Sequence, residues 1–514
     1  MAQSLSSEEE RTAGPGQMGR RKRRRWIFRG VLLGLLLAWI GVALWHTHKP
    51  MPPGTDVASA WIDTPLSEVK LLSDVTVTDG RGRLIIRQQI FDEAFRAIDA
   101  AQEFILLDWF LFNDHRGPDA GSAPAVYRAL SAELRDRLIA RRQAQPALRV
   151  LFITDPINDI YGSAPSADLA ALREAGVDVV RTDLDRLRDS NTLYSALWRL
   201  GMKWWTDDGP GEGVLGNPLD TGPARVSLGA WLRLLNFKAN HRKVLVADNG
   251  AGALVAIVCS ANPHDASSAH SNIGLKFSGA AAEAVLASEL EVARFSGWRG
   301  EWPPPAASPA SAVADVTRVK FLTEGAIEDA LLSEIRTAEA GESIAIAVFY
   351  LSDRDIVDEL VAAAAREVRI RLILDPNKDA FGRVKDGVPN RPVAAELRRR
   401  SGGRIEIRWY RTHGEQFHTK LAYVRHADTL WVLLGSANFT RRNLDNYNLE
   451  ADVALETGLG TPLAQELVNY FETLWQNDPV ALTEFTTDFQ TYEDQSFARY
   501  WRYRLMEATG LSTF

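Results

Sequence analysis

The 514-residue chain carries one series of motifs twice, in the same order. Each copy has an apolar run, a second apolar run ending in Asp-Pro, a His-x-Lys triplet, a Ser-Ala-Asn triplet and a final tryptophan. The Asp-Pro motifs are 220 residues apart, the histidines 177 and the asparagines 176. Features that keep one order and nearly one spacing indicate a tandem duplication. The matched residues are Asp155 and Asp375, Gly162 and Gly382, His241 and His418, Asn262 and Asn438, and Trp298 and Trp475.

Strands and helices alternate within each copy, which predicts an α/β fold with one sandwich of sheet and helices in each half. The apolar runs 105–112 and 344–351 are typical of buried strands, and each follows a helical pattern. We expect a first half over 71–299, a Pro-rich seam over 300–316 and a second half over 317–514 that ends in helices. Cys259 is the only cysteine, so the chain can form neither an intramolecular disulfide nor a thiolate metal cage.

The N-terminus predicts a membrane anchor. An unbroken basic run over 20–25 precedes residues 26–45, whose only charge is Arg29. Twenty helical residues span about 30 Å, the thickness of a bilayer core. Trp26 and Trp45 occupy the two interfacial positions. We therefore expect a cytoplasmic basic tail over 1–25, a transmembrane helix over 26–46, a linker over 47–70, and a body in the periplasm or an equivalent lumen, most simply at a bacterial inner membrane.

Two alternatives to an uncleaved anchor are weaker. The small residues Ala58-Ser59-Ala60 resemble a signal-peptide cleavage site, but they lie 13 residues past the apolar run and beyond three prolines. Arg24-Arg25 with the following aromatic residues loosely fits a twin-arginine export signal. No other stretch approaches eighteen apolar residues, so the sequence predicts a single span.

The repeated His-x-Lys and Ser-x-Asn motifs carry the chemistry. Alternation along a strand places the histidine and lysine of each triplet on one face. The asparagine follows a second apolar run, which would return beside the first as a hairpin partner. Each half thus offers an imidazole as nucleophile or acid, with an ammonium and an amide as donors to phosphate oxygens. Two such half-sites facing each other would surround a single phosphodiester.

At these residues the chain resembles the phospholipase D superfamily, which is marked by a duplicated H-x-K-x4-D-x6-G-S-x-N motif. The resemblance implies that the halves meet in one cleft. It also implies that one histidine attacks phosphorus to form a phosphohistidine while the other protonates the leaving alcohol, without metal or organic cofactor. The residues that would hold the phosphate and line the site are Lys243, Asn262, Lys420, Asn438, Ser260 and Ser436.

The chain departs from this pattern in both copies. The first motif keeps Asp248 but has four extra residues and Cys259 in place of glycine, and the second has Arg425 in place of the aspartate, which looks structural in the family. The family commonly has an acidic residue downstream that orients each histidine. Glu450, in Asn448-Leu449-Glu450, is expected to supply it for His418.

The matching triplet 272–274 in the first half has no acid, so Asn272 or Asp108 is expected to contact His241. A carboxylate raises the pKa of an adjacent imidazole more than an amide does. This pairing favours His241 as nucleophile and His418 as acid and base. A first half without catalytic activity is the alternative.

The first half is longer than the second because of an insertion at about 187–235. Leu193, Leu197, Leu200 and Trp204 recur there at helical spacing, and 207–222 is a Gly/Pro-rich loop. The insertion is interpreted either as a small packed subdomain or as a lid or flap that dips into lipid beside the cleft.

Three functional classes follow. The first is a phosphodiesterase or phosphatidyl transferase acting on phospholipids, either phospholipase D-like or cardiolipin synthase-like, with the bilayer as partner and no obligate protein partner. The second is a nuclease, which needs a basic channel. The net charge is −7, and with eight basic and three acidic residues in 1–30 the rest carries about −12, which argues against nucleic acid. The third is an inactive binding relative, which the intact His241 and His418 disfavour.

Overall fold

The computed structural model of the protein describes residues 15–79, 81–115, 127–206, 213–219, 225–302, 315–380, 383–477, 483–512 and 514. Several predicted features therefore lie wholly or partly outside the described residues. They are the start of the basic tail, Gly382, most of the seam and most of the loop over 207–222.

The chain up to the seam contains seven helices and eleven strands among the residues described. They are α1 (Pro15–His48), β1 (Ile62–Pro65), β2 (Lys70–Thr78), β3 (Leu84–Arg87), α2 (Ile90–Ala100), β4 (Phe104–Trp109), α3 (Leu130–Ala144), β5 (Arg149–Thr154), α4 (Ala167–Glu174), β6 (Asp178–Arg181), α5 (Thr192–Leu200), β7 (Leu215–Gly216), β8 (Arg225–Val226), α6 (Leu228–Leu234), β9 (Lys243–Asp248), β10 (Leu254–Cys259), β11 (Asn272–Ser278) and α7 (Ala280–Phe295).

The chain after the seam repeats this alternation. Its described elements are β12 (Val316–Thr323), α8 (Gly325–Thr337), β13 (Ser343–Val348), α9 (Arg354–Ala365), β14 (Arg369–Leu374), β15 (Asp379–Ala380), β16 (Arg383–Val384), α10 (Asn390–Arg400), β17 (Glu406–Tyr410), β18 (Lys420–Arg425), β19 (Thr429–Gly435), α11 (Arg441–Leu444), β20 (Ala451–Gly458), α12 (Pro462–Gln476), β21 (Thr486–Asp488) and α13 (Phe497–Thr509).

Two large sheets share one topology. The first has the order β3-β2-β11-β10-β9-β4-β5-β6, and the second β1-β12-β20-β19-β18-β13-β14-β17-β21. Seven strands correspond one to one, from β2 with β12 to β6 with β17. Each sheet has three neighbouring parallel strands, β4, β5 and β6 in the first and β13, β14 and β17 in the second, and antiparallel hairpins beside them. Strand β21 adds an antiparallel edge to the second sheet. The predicted duplicated α/β fold is confirmed.

The inner faces of the two sheets pack against each other in one shared core. Alternate residues on each strand contribute to it, including Val246 and Ala256 from the first sheet and Leu434 and Val453 from the second. Helices α2 to α4 cover the outer face of the first sheet, and α8 to α10 with α13 cover that of the second. Because both sheets have two apolar faces, their central strands are buried throughout, which explains the continuous apolar runs in the sequence.

The N-terminal segment joins both sheets. Within α1, Lys22–His48 is long and apolar enough to cross a membrane. Part of the segment predicted as a linker is a strand, because β1 pairs antiparallel with β12 at the edge of the second sheet. The chain thus contacts the second sheet before it builds the first.

The replacement of the motif glycine by Cys259 has a steric explanation. Cys259 lies opposite Gly274 in the β10–β11 ladder, and Gly435 lies opposite Asp452 in β19–β20. A Cβ added at Gly274 would lie 2.6 Å from the Cβ of Cys259, and one at Gly435 would lie 2.4 Å from Asp452 Oδ1. Each of these residue pairs has room for only one side chain. The first half has it on β10, as Cys259, and the second half has it on β20, as Asp452.

We therefore predict that Gly274→Ala lowers the thermal unfolding midpoint, because overpacking of this kind costs about 1–3 kcal/mol. Adding Cys259→Gly should restore most of the midpoint in the double variant. Gly460→Ala is the control, since a Cβ there meets nothing within 4 Å. Equal midpoints for Gly274→Ala and Gly460→Ala would show that the pair is not tightly packed.

Candidate active site

The two repeated histidines lie together where the sheets meet. His241 and His418 precede the equivalent strands β9 and β18, and each is 8% exposed. Their ring centroids are 6.4 Å apart, with an interplanar angle of 70°. Neither Nε2 atom has a hydrogen-bond partner among the described residues, so both remain available to a ligand.

Backbone contacts between the halves produce this arrangement. His241 N donates to Leu449 O at 2.8 Å, and Leu449 N donates to Ala239 O at 3.0 Å. In the equivalent place, Ser271 N donates to Gln416 O at 3.1 Å. Each histidine segment is therefore bridged to the segment that precedes β11 or β20 of the other half.

Glu450 orients His241, not His418 as predicted. The Nδ1 atom of His241 lies 2.8 and 3.0 Å from the two carboxylate oxygens of Glu450. The fully buried carboxyl group also accepts hydrogen bonds from Ser436 Oγ and Asn443 Nδ2. The prediction was wrong because it assumed that the acid serves the histidine of its own half, whereas the bridges carry it across the interface.

His418 takes its partners from the first half in the same crossed manner. Its Nδ1 atom lies 2.9 Å from the backbone oxygen of Ser260 and 3.2 Å from Asn272 Oδ1. Both acceptors are oxygens, so Nδ1 carries the proton and Nε2 has the lone pair when the ring is neutral. Asn272 was predicted to contact His241, and that prediction is also wrong.

The equivalent of Glu450 is Asn272, two residues earlier than the sequence comparison placed it. Ser260 N donates to Ile273 O, and Ser436 N donates to Ala451 O. Ile273 and Ala451 therefore occupy equivalent positions in the two halves. The Ser260 and Ser436 hydroxyls likewise accept the amides of Ile273 and Ala451, at 3.0 and 2.9 Å. The loop after the Ser-Ala-Asn triplet is two residues longer in the second half. Matching 272–274 with 448–450 was therefore wrong by two residues.

Asp108 does not contact His241. Its carboxylate oxygens each lie 2.8 Å from the Nδ2 atom of the neighbouring Asn240, and the side chain is fully buried. Asp108 thus positions the residue before the histidine. The expectation that it is the partner of His241 is wrong because its strand, β4, pairs with β9 just past that residue.

The two lysines are buried beneath the histidines. Lys420 Nζ donates to His418 O at 2.7 Å, and Lys243 Nζ donates to His241 O. Each ammonium lies 5.3 Å from an aromatic ring centroid, Lys243 over Phe110 and Lys420 over Phe349. Burial lowers the pKa of Lys243 to about 8, and burial together with the charge of Lys243 lowers the pKa of Lys420 strongly.

The asparagines flank the same place from the ends of β10 and β19. Asn262 Oδ1 accepts the amide of Leu111 at 3.2 Å, which leaves its NH2 group for a ligand. Asn438 Oδ1 is buried without a hydrogen-bond partner among the described residues. Both serines serve the orienting residues, since Ser260 Oγ donates to Asn272 Oδ1 at 3.2 Å and Ser436 Oγ donates to Glu450.

Burial favours the neutral forms of the two histidines and of Glu450. It lowers the pKa of His241 well below the ordinary value, with further lowering by Lys243 and Lys420. Burial and Lys420 also lower the pKa of His418. Burial raises the pKa of Glu450 to about 7. An anion entering between the lysines would favour their charged forms.

Asp155 and Asp375 belong to the site, although the sequence reasoning did not include them. Asp155 Oδ2 accepts Asn240 N at 2.7 Å, and Asp375 Oδ2 accepts Phe417 N at 2.8 Å. Each therefore holds the residue before a histidine. Their matched repeat spacing was the available signal. Asp248, by contrast, accepts three amides at the start of β4, at the far end of β9, so it is structural.

A cluster of carboxyl groups is found elsewhere, formed by Glu328, Asp353 and Asp445 near α8 and α11. Burial and the neighbouring carboxylates raise the pKa of Glu328 to about 9. None of them is a predicted site residue.

The chain is similar to known proteins in part of its sequence and in its fold. Residues 331–475 match the family described as cardiolipin synthase, PLD-like domain. The chain is similar to the crystal structure of phosphatidylserine synthase from Haemophilus influenzae Rd KW20, at 12% identity and a TM-score of 0.51, covering 87% of this chain and 96% of that one. No curated protein matches the chain.

Two further solved structures are similar at lower TM-scores. Nuc, a phospholipase D family member from Salmonella typhimurium, is 23% identical, with a TM-score of 0.24 over 31% of this chain and 95% of that one. Polyphosphate kinase from Porphyromonas gingivalis is 12% identical, with a TM-score of 0.42 over 86% of this chain and 53% of that one.

The fold and the family match define the class. The chain has the fold of the phosphatidylserine synthase structure and an N-terminal apolar helix. Residues 331–475, within the second half, match the PLD-like domain of the cardiolipin synthase family.

Proposed function

We propose that the protein cleaves or transfers phosphodiesters of phospholipids through a phosphohistidine, by phospholipase D-like hydrolysis or cardiolipin synthase-like transfer. The observation that carries this proposal is the pair His241 and His418. Their rings lie 6.4 Å apart, both Nδ1 atoms are held by acceptors, and the Nε2 atoms have no partner among the described residues. This spacing suits a phosphorus atom between an attacking nitrogen and a proton donor.

The phosphate would be held by the donors around the rings. Burial lowers the pKa of both Lys243 and Lys420, and the charge of Lys243 lowers the pKa of Lys420 further. A phosphodiester placed between them removes this repulsion and fills their remaining donor sites. The amides of Asn262 and Asn438 would bind the non-bridging oxygens.

The pairing of Glu450 with His241 affects which histidine can attack phosphorus. If the carboxylate served only to raise an imidazole pKa, His241 would now be the acid. However, burial and two lysines lower the pKa of His241, which favours the neutral ring that a nucleophile requires. Attack by Nε2 produces a positively charged phosphoimidazolium, and the Glu450 carboxylate at Nδ1 stabilises that charge. We therefore keep His241 as the nucleophile.

His418 then acts as acid and base. Its protonated ring would be paired only with an amide oxygen and a backbone oxygen, so it releases a proton more readily than a ring paired with a carboxylate. As the phosphodiester anion binds, it favours protonation of His418 Nε2 from solvent, which offsets the lowered pKa of this ring. In the first step, the bond from His241 Nε2 to phosphorus forms, the bond from phosphorus to the leaving oxygen breaks, and that oxygen takes the proton from His418 Nε2. In the second, His418 takes a proton from water or an acceptor alcohol, which attacks phosphorus and releases His241.

The apolar helix α1 supports a lipid substrate over a nucleic acid. As a transmembrane anchor, α1 would hold the body beside a membrane, and the body has a net negative charge, which disfavours a polyanion. We propose that residues 1–25 are cytoplasmic and that the body lies in the periplasm or an equivalent lumen, because the basic run 20–25 precedes the span.

Both half-sites are expected to be necessary for turnover. His241→Ala and His418→Ala should each reduce phosphodiester cleavage to background, and EDTA should not affect the unmodified protein. The measurement is the lipid composition after expression in cells that lack their own cardiolipin synthases, together with release of head group from purified lipid. Gly460→Ala, on an open surface, is the control. Activity on single-stranded DNA without activity on lipid would refute the substrate class.

The covalent intermediate should form on His241. His418→Asn should accept labelled phosphoryl group from a substrate with a good leaving group, which needs no acid, and His241→Asn should not. Adding Glu450→Gln to His418→Asn should slow labelling, because the phosphoimidazolium loses its carboxylate. Peptide mapping by mass spectrometry locates the label. Label on His418 in the His241→Asn variant would reverse the assignment.

The proposed orientation predicts the behaviour of reporters fused after Phe514. A phosphatase that folds only outside the cytoplasm should be active there, and a reporter that is active only in the cytoplasm should be inactive. The opposite pattern would show that the body is cytoplasmic. A fusion after residue 20, ahead of the span, is the matched control and should give the reverse result in each case.

A further inference from the structure

We propose that α5 and the turn that follows it, here called the interfacial segment (residues 192–205), are embedded in the bilayer beside α1. The sequence left this insertion open between a packed subdomain and a lipid-dipping flap. In the structure this segment contacts the apolar helix α1, which favours the lipid-dipping interpretation. The occupant of its outer face would be the acyl chains and head groups of a phospholipid bilayer.

Direct contacts join the two helices near the end of α1. Trp39 Nε1 donates to Leu193 O at 2.9 Å, and the hydroxyls of Thr47 and Thr192 are 3.0 Å apart. On α1, Ala43 and Thr47 are buried, although most of the helix is exposed. The last turns of α1 therefore pack along α5.

The position of these contacts implies a depth in the membrane. Trp39 precedes Trp45 by six residues, which is about 9 Å along a helix. If the bilayer core ended at Trp39, the apolar stretch from Trp26 would span only about 20 Å, against the 30 Å that a bilayer core requires. The core must therefore extend past Trp39, and α5, which contacts Trp39, must enter the same layer.

The outer face of the interfacial segment has the composition that this location requires. Its large apolar side chains are exposed, whereas Ser195, Ala196 and Trp198 face the body and are at most 2% exposed. This pattern is the inverse of a helix that meets water. Tryptophan is favoured at the membrane interface, where its ring is apolar and its NH group finds a polar partner. The exposed side chains are Leu193 at 54%, Leu197 at 50%, Leu200 at 44%, Trp204 at 76% and Trp205 at 88%.

Polar contacts fix this junction to the body. Asp189 N donates to His46 O at 2.9 Å, and Lys49 Nζ donates to Asp185 O at 2.6 Å. Asp189 in turn pairs with the buried Lys238 at 2.7 Å. A junction with this many contacts holds the body at one height above the bilayer.

The junction is also close to the candidate active site. Lys238 is three residues from His241, so their Cα atoms lie within about 11 Å. Embedding the interfacial segment would therefore hold the cleft near the head groups of the adjoining leaflet. This last step rests on the proposed phospholipid substrate, whereas the embedding itself does not.

The test uses the full chain in phosphatidylcholine and phosphatidylglycerol vesicles, with an environment-sensitive fluorophore on an introduced cysteine. Trp205→Cys reports on the interfacial segment. Ala340→Cys is the control, because it is exposed in the turn before β13, at the end of that strand far from the histidines. The native Cys259 is fully buried, so the unmodified chain measures background labelling.

We expect a nitroxide on the lipid acyl chain to quench the label of Trp205→Cys, and iodide on both sides of the membrane to quench it poorly. The label of Ala340→Cys should respond in the opposite way. Equal responses of the two labels, with strong iodide quenching and none by the lipid nitroxide, would overturn the proposal. Both outcomes are independent of turnover.

A second measurement separates the embedding from the proposed function. Leu197→Ser combined with Trp204→Ser should reduce turnover of phospholipid in vesicles severalfold and leave turnover of a short-chain, monomeric phospholipid unchanged. An equal loss on both substrates would mean that the segment only supports the fold and would count against the proposal. If the unmodified protein acts on neither lipid, the proposed function fails, and the quenching result still decides the embedding.

Discussion

The arrangement of this protein depends on a buried ion pair between its two halves. Arg242, the residue after the first repeated histidine, lies 2.8 Å from Glu324 of the second half, and both side chains are fully buried. The other oxygen of Glu324 accepts the amide of Asp56, and the paired oxygen accepts the amide of Glu450. A buried charge that loses its partner costs about 3–5 kcal/mol. The halves are therefore held in the one register in which Glu450 reaches His241.

Because of this register, the candidate active site is formed by both halves together. Each histidine precedes a strand of one half and is oriented by a residue of the other, Glu450 for His241 and Asn272 for His418. Neither half by itself contains both a repeated histidine and the side chain that orients its ring. The duplication is symmetric in the backbone and asymmetric in chemistry, because a carboxyl group orients one ring and an amide the other. That difference, together with the buried lysines, is what distinguishes the two proposed roles.

Much of the fold and the membership of the site could be predicted from the sequence. The matched motifs predicted two α/β units, and His241, Lys243, His418 and Lys420 do lie together. Strand β1 was not predicted, because a short edge strand has no strong pattern of alternating apolar residues. The partners of the histidines were assigned wrongly because a two-residue difference in loop length shifted the alignment.

The sequence by itself determined the local elements, since alternation and apolar runs depend on neighbouring residues, and it determined which side chains could do chemistry. Only the tertiary structure decided which of them touch. The hydrogen bond of His241 with Glu450 joins residues 209 apart, and that of His418 with Asn272 joins residues 146 apart. Such contacts depend on how two sheets pack and cross. No local pattern records that packing, because the residues at each end would form the same strand with either partner.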